Sequence, residues 1–107
     1  NGRVAAIRLN DEVFENLGAT RADADGIVNY LNEIAGVRVG ILADQIKDSV
    51  KFSFRAGVGA DVSKIAGQFG GGGHVRASGC SFSCSVEEAA EQLVPAVKKY
   101  IEETEQH

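Results

Sequence analysis

A chain of 107 residues with 44% apolar and 24% charged content is long enough for one compact core and too short for two ordinary domains. No apolar run approaches the roughly 20 residues of a membrane-spanning helix, and the opening Asn1-Gly2-Arg3-Val4 lacks the basic-then-apolar pattern of a secretory signal. A net charge of −4 argues against a surface that coats long nucleic acid.

Arg3 to Leu9 is short, apolar-rich and β-compatible. Asn10-Asp11 then offers a cap for a brief helix over Glu12 to Leu17 that Gly18 stops. With strand pattern from its third residue and no initiating methionine, the chain reads as a piece of something longer. Thr20 and Asp23 have capping-box spacing, and Ala24, Ile27, Val28, Leu31 and Ile34 keep a helical period until Gly36. Val37 to Ala43 is nearly continuous apolar sequence, as in a central strand, and Asp44 to Asp48 is short enough for a hairpin. Ser49 to Arg55 alternates strictly, with Val50, Phe52 and Phe54 on one face and Lys51, Ser53 and Arg55 on the other. Asp61 caps a short helix with the stripe Val62, Ile65, Ala66 and Phe69, and Gly70 suits the left-handed position that ends it. Ala77 to Ser83 reads as a last strand. Ser85 and Glu88 form a capping box for a final helix that buries Ala89, Leu93, Val97, Tyr100 and Ile101 and that Pro95 should kink or restart. The order βααββαβα predicts an α/β domain, a mixed β-sheet of about four or five strands covered by helices.

Between the short helix and the last strand lies GGGGHVR, Gly70 to Arg76. Glycine loses the most backbone entropy on folding, so four in a row weaken a fold unless the bare backbone is needed. Read as chemistry, the run is an anion-binding nest of converging N–H groups, edged by His74 and Arg76, with Arg55 brought in at the end of its strand. Read as plain structure, it is a hinge, and the arginines are solvated charges. The charge distribution favours the first reading. Residues 47–80 carry Lys47, Lys51, Arg55, Lys64 and Arg76 against Asp48 and Asp61, an island of +3 between segments of −3 and −4. Such an island suits a small, local anionic ligand.

Neither a P-loop nor a dinucleotide-binding turn fits: no Lys-Ser/Thr follows the glycines, and they precede a strand. Asp23, Asp25 and Asp44 make no recognisable metal set, and no nucleophilic triad is present. Cys80 and Cys84 sit four apart in an extended stretch, roughly 13 Å between Cα atoms, too far for a disulfide. Free thiols fit a reducing, cytoplasmic setting, and two cysteines with one nearby histidine do not complete a zinc site.

The string DVSKIAGQFGGGGHVRASG, Asp61 to Gly79, resembles the DHH-associated domain, the C-terminal part of DHH-family phosphoesterases. TRADADGIVNYLNEIAGVRVGIL (Thr20 to Leu42) and VKFSFRAG (Val50 to Gly57) resemble the nanoRNase/pAp phosphatase branch, and the likeness covers nearly all of residues 3 to 101. Ser78 stands where alanine is commoner. The resemblance implies that Gly71, Gly72, Gly73, His74 and Arg55 hold the phosphate or nucleotide end of a short oligoribonucleotide or of 3′-phosphoadenosine 5′-phosphate. It also implies a manganese pair on an N-terminal catalytic half, whose Asp-His-His signature is absent here, so residues 1–107 alone should be inactive and hold no cofactor. Exopolyphosphatase-like and cyclic-dinucleotide phosphodiesterase parents, a free-standing binding module, a plain structural domain and a homodimer all remain open readings.

Overall fold

In the computed structural model, residues 4–10, 37–57 and 59–104 are described, together with 12, 15, 16 and 26. The elements are β1 (Val4–Asn10), β2 (Val39–Ile46), β3 (Ser49–Ala56), a short helix α1 (Ser63–Ala66) continued by a 3-10 turn (Gly67–Phe69), β4 (Gly72–Gly73), β5 (Ala77–Phe82) and a long helix α2 (Val86–Thr104). They form one five-stranded mixed sheet in the order β1-β2-β3-β5-β4, with β1 parallel to β2 and all other neighbours antiparallel. A parallel pair needs a crossover of a dozen or more residues, which the sequence between Asn10 and Val39 supplies. Of the two helices expected in that stretch, Glu12, Glu15, Asn16 and Gly26 are described and helical, and the rest lies outside the described residues.

Alternation sends Val50, Phe52, Phe54 and Ala56 of β3 to one face, beside Val39, Ile41 and Ala43 of β2 and Cys80 of β5. Helix α2 closes this face with Ala89, Leu93, Val97, Tyr100 and Ile101, the residues its 3.6 period aligns. Phe52 stacks on Phe54 with centroids 6.4 Å apart and meets Phe82 edge-on at 5.7 Å. Each fully buried Val, Ile or Phe side chain contributes about 1.5–3 kcal/mol, so this layer fixes the sheet against α2. The capping box forms as expected: the Glu88 N–H donates to Ser85 Oγ, which donates to Glu88 Oε1, both at 3.2 Å. Pro95 does not restart the helix, which runs unbroken with Pro95 exposed. The apolar stripe packs on both sides of the proline, and that packing outweighs one lost backbone bond.

Two details depart from expectation. The β2–β3 hairpin is tighter than five residues: the ladder runs on to Ile46↔Ser49, leaving only Lys47 and Asp48 as the turn. Gln45 makes this tight turn feasible, its Nε2 donating to the carbonyls of Lys47 (2.9 Å) and Ser49 (2.8 Å), while Lys47 takes φ 54°. The other departure is β4, an extra strand made of glycine, which adds an edge to the sheet.

The second face of the sheet divides. Toward β1, Leu9, Leu42 and Asp44 are buried, whereas Lys51, Ser53 and Arg55 of β3 and Ala77, Gly79 and Ser81 of β5 stay exposed or half-buried. Among the described residues no helix is long and apolar enough to cross a membrane. Cys80 and Cys84 are both free thiols.

Candidate functional site

The site is built outward from α1. Asp61 lies one residue before the N-cap position, which Val62 occupies without a side-chain cap; Asp61 Oδ1 instead accepts from the Ser63 N–H at 3.1 Å and from the Ser63 hydroxyl, while Ile65 and Ala66 are fully buried. Gly70 ends the helical segment at φ 78°, the left-handed position expected of it.

The glycines that follow do not form a nest. The Gly71 N–H donates back to the Ala66 carbonyl at 3.0 Å as part of the helix cap. Gly72 and Gly73 pair with Gly79 and Ser78, and His74 and Ala77 exchange both backbone bonds (2.7 and 3.2 Å) around the two-residue turn Val75-Arg76. Bonded and non-bonded pairs alternate along an antiparallel ladder. Gly72 is therefore bonded to Gly79, and of the N–H groups from Gly71 to His74 only that of Gly73 points off the sheet edge. A hairpin of this kind gives nearly every N–H a partner within the chain, a demand that holds with or without an anion.

The hairpin is also tied down from outside. The Val62 N–H donates to the Val75 carbonyl (2.9 Å), the Ala56 N–H to the Arg76 carbonyl (2.8 Å), and the buried Ser78 hydroxyl to the Val62 carbonyl (2.8 Å). This hairpin is fixed rather than hinge-like.

Bare backbone is required at some of these glycines and not at others. A Cβ on Gly71 would lie 2.1 Å from the Gly79 carbonyl oxygen. On Gly73, at φ 143°, it would lie 2.6 Å from the Ala77 carbonyl oxygen. On Gly72 it would meet nothing within 4 Å, and no left-handed φ demands glycine there. The fold explains Gly71 and Gly73 and leaves Gly72 unexplained.

Gly72 borders an open groove of about 620 Å³ on the second face of the sheet. Its floor is Ser53, Arg55, Ala77, Gly79 and Ser81, its glycine wall is Gly70 to Gly73, and Lys51 lies at one end. Among the described residues no carboxylate lines it. Of the expected site residues, the structure brings together Arg55, Gly71, Gly72 and Gly73. Arg55 is half-buried and donates through Nη1 to the Phe54 carbonyl at 3.0 Å. His74 and Arg76 are set apart from the groove lining, exposed on the hairpin turn with Val75, which is 53% exposed. Lys51, Ser53 and Ser81 are groove residues that the sequence reading did not single out. Their signal was present in the alternation that puts Lys51 and Ser53 on the Arg55 face.

A second cleft, about 720 Å³, lies at the other end of the sheet and is of mixed sign: Arg8 and Lys47 face Asp48, Glu87 and Glu88, and Arg8 pairs with Glu87 at 2.7 Å. That mixture gives no net attraction for an anion.

The pattern of the DHHA1 domain matches residues 1–103. The chain belongs to the DHHA1 domain family. Among its relatives is the bifunctional oligoribonuclease and PAP phosphatase NrnA of Bacillus subtilis (strain 168), 30% identical over 77 residues, which are 72% of this chain and 24% of the relative. The NrnA of Thermus thermophilus is 31% identical over 86 residues, 79% of this chain and 26% of the relative. This places the DHHA1 domain with the nanoRNase-like branch, and the chain spans about a quarter of the length of those relatives. The crystal structure of an exopolyphosphatase-related protein from Bacteroides fragilis superposes with a TM-score of 0.84 at 27% identity, covering 98% of this chain and 31% of that one. Among the described residues, no group of three or more His, Cys, Asp or Glu side chains is placed to hold a metal ion.

Proposed function

We propose that this DHHA1 domain is the substrate-binding part of a metal-dependent phosphoesterase that acts on short oligoribonucleotides or 3′-phosphoadenosine 5′-phosphate. The observation that carries the reading is Gly72: a bare residue without a packing reason, facing a groove that also contains Arg55 and, among the described residues, no carboxylate. A guanidinium gives a phosphate two parallel charge-assisted hydrogen bonds, and a missing Cβ lets the ligand lie against the backbone. The Gly73 N–H at the sheet edge is a further donor. The hydrolytic chemistry, with its manganese ions, belongs on this reading to a separate catalytic half of the protein. The groove grips one end of the ligand so that binding energy gained there positions the scissile phosphate elsewhere. His74 and Arg76, exposed on the hairpin turn, are assigned to the part of the ligand that extends toward that half. The names of the NrnA relatives support the substrate class, and the DHHA1 family supports the phosphoesterase setting.

Likeness to the exopolyphosphatase-related protein favours one second reading, in which polyphosphate occupies the same groove. Calorimetric titration with 3′-phosphoadenosine 5′-phosphate, a 5′-phosphorylated RNA dinucleotide and a short polyphosphate, beside Arg55→Ala and His74→Ala variants, separates the two. Nucleotide binding that both substitutions weaken supports the nanoRNase-type reading; binding of polyphosphate alone supports the second. A folded chain that binds none of the three at millimolar concentration contradicts both.

A further inference from the structure

We propose that β1 and α2 together form a dimer surface, on which a second copy of this chain docks about a two-fold axis. The two edges of the sheet are unlike. β4 is two residues long and offers little to pair with, whereas β1 presents seven residues, VAAIRLN, in unbroken register with no proline. Among the described residues β2 is the only strand beside β1, and the backbone from Val4 to Leu9 has no partner on its outer side. Edges of this length are ordinarily blunted by charge or covered. The one charge here, Arg8, is turned onto Glu87 at 2.7 Å.

Helix α2 runs beside that edge. Its first turn meets Arg8 through Glu87, and further along Leu93, Val94 and Val97 enclose with Val4 and Ala6 an apolar groove of about 240 Å³. Val94 is 49% exposed although Leu93 and Val97 are buried, because it leaves the helix on the flank toward β1 rather than into the core. The charges around it identify the occupant. Glu91 lies three residues before Val94 and Lys98 four after, so all three share that flank, and among the described residues neither charge has an ion-pair partner. A two-fold axis perpendicular to the sheet beside Ala6 sets β1 antiparallel to β1 of the second copy and lays the two α2 helices antiparallel over the seam. Val94 then meets Val94 of the second copy, and each Glu91 faces the other copy's Lys98. An acid and a base on either side of an apolar centre are what an isologous contact requires, a single patch complementary to itself. The groove under Gly72 lies on the other face of β3 and β5 and stays open in such a dimer.

The test is sedimentation equilibrium of the chain from about 10 µM to about 1 mM, using wild type, Val94→Glu, Glu91→Lys, Lys98→Glu, the double variant Glu91→Lys/Lys98→Glu, and Lys99→Glu, each checked for fold by circular dichroism. All four positions are exposed, so the substitutions leave the core intact. Wild type is expected to pass from monomer to dimer mass over this range, and Val94→Glu to stay monomeric. Each single charge reversal sets two like-charge pairs across the axis and should weaken association roughly tenfold. Reversing both charges restores the pairing and should restore association, while Lys99→Glu, on the flank of α2 toward α1, should leave it unchanged. A wild type that stays monomeric throughout overturns the proposal, as does association that runs past the dimer, dimerisation indifferent to Val94→Glu, or a double reversal that associates no more tightly than the single ones.

Discussion

The Ser78 hydroxyl donates to the Val62 carbonyl oxygen at 2.8 Å, in a buried position where β5 passes the first turn of α1. The same oxygen accepts the N–H groups of Ile65 and Ala66, each at 3.1 Å, so Ser78 adds a third bond to an acceptor the helix already uses. This bond sets the glycine hairpin against the helix that precedes it.

Replacing Ser78 by Ala removes a hydrogen bond without stranding a buried polar group, because Val62 keeps its helical partners. The expected loss is about 0.5–1.5 kcal/mol, read as a fall of several degrees in thermal midpoint. A loss of twice that would mean the hairpin depends on Ser78 far more than this geometry implies.

The glycine run should split by position when each is changed to Ala. Gly71→Ala and Gly73→Ala drive a methyl into backbone carbonyls, and each should destabilise the chain by about 1–3 kcal/mol or detach β4. Gly72→Ala should stay within about 0.5 kcal/mol of wild type, since the added methyl enters open space. Denaturation midpoints for the three variants test the ordering, and nucleotide affinity of Gly72→Ala tests whether the bare backbone there serves a ligand.

Tyr100 links α2 to the same region, its hydroxyl accepting the Asp61 N–H at 2.6 Å, one turn from Thr104, which accepts from Arg38 Nη1 at 2.8 Å. Tyr100→Phe leaves a partly buried N–H without its acceptor. It should cost about 1–3 kcal/mol in chemical denaturation and raise amide exchange across α1. Unchanged stability would show that water replaces the phenol at no cost.

Burial pushes the Cys80 thiol up to about 11. The folded chain therefore holds that proton to higher pH than the unfolded chain does. Its contribution to stability is intact below the ordinary thiol value of 9.0 and is lost as pH rises from there toward about 11. Urea denaturation between pH 8 and pH 11 should show this decline in wild type and a shallower one in Cys80→Ala; parallel curves would contradict the burial argument.

Much of this molecule is legible in its residues alone, and the reasons are physical. Period-two alternation in Ser49–Arg55 and the 3.6 period from Ala89 to Ile101 report burial directly, and both elements form where the pattern puts them. Capping chemistry at Ser85 and the left-handed Gly70 are local and equally readable. The expected nest fails because glycine announces freedom, not its use: whether Gly71 caps a helix, pairs with a strand or meets an anion depends on where β5 lies, which no local signal fixes. For the same reason Lys51, Ser53 and Ser81 join the groove only once β3 and β5 are side by side. His74 carries the chemistry expected of a ligand contact, yet the hairpin turns it out to the exposed tip.

The central claim is that a phosphorylated nucleotide occupies the groove under Gly72. The most direct test is amide chemical-shift mapping of the isotopically labelled chain during titration with a 5′-phosphorylated RNA dinucleotide. The account predicts shifts concentrated at Ser53, Arg55, Gly72, Gly73, Gly79 and Ser81, with the Arg8–Glu87 end of the sheet unchanged. Shifts centred on Arg8, Gln45 and Glu87, with the glycine hairpin silent, would contradict it.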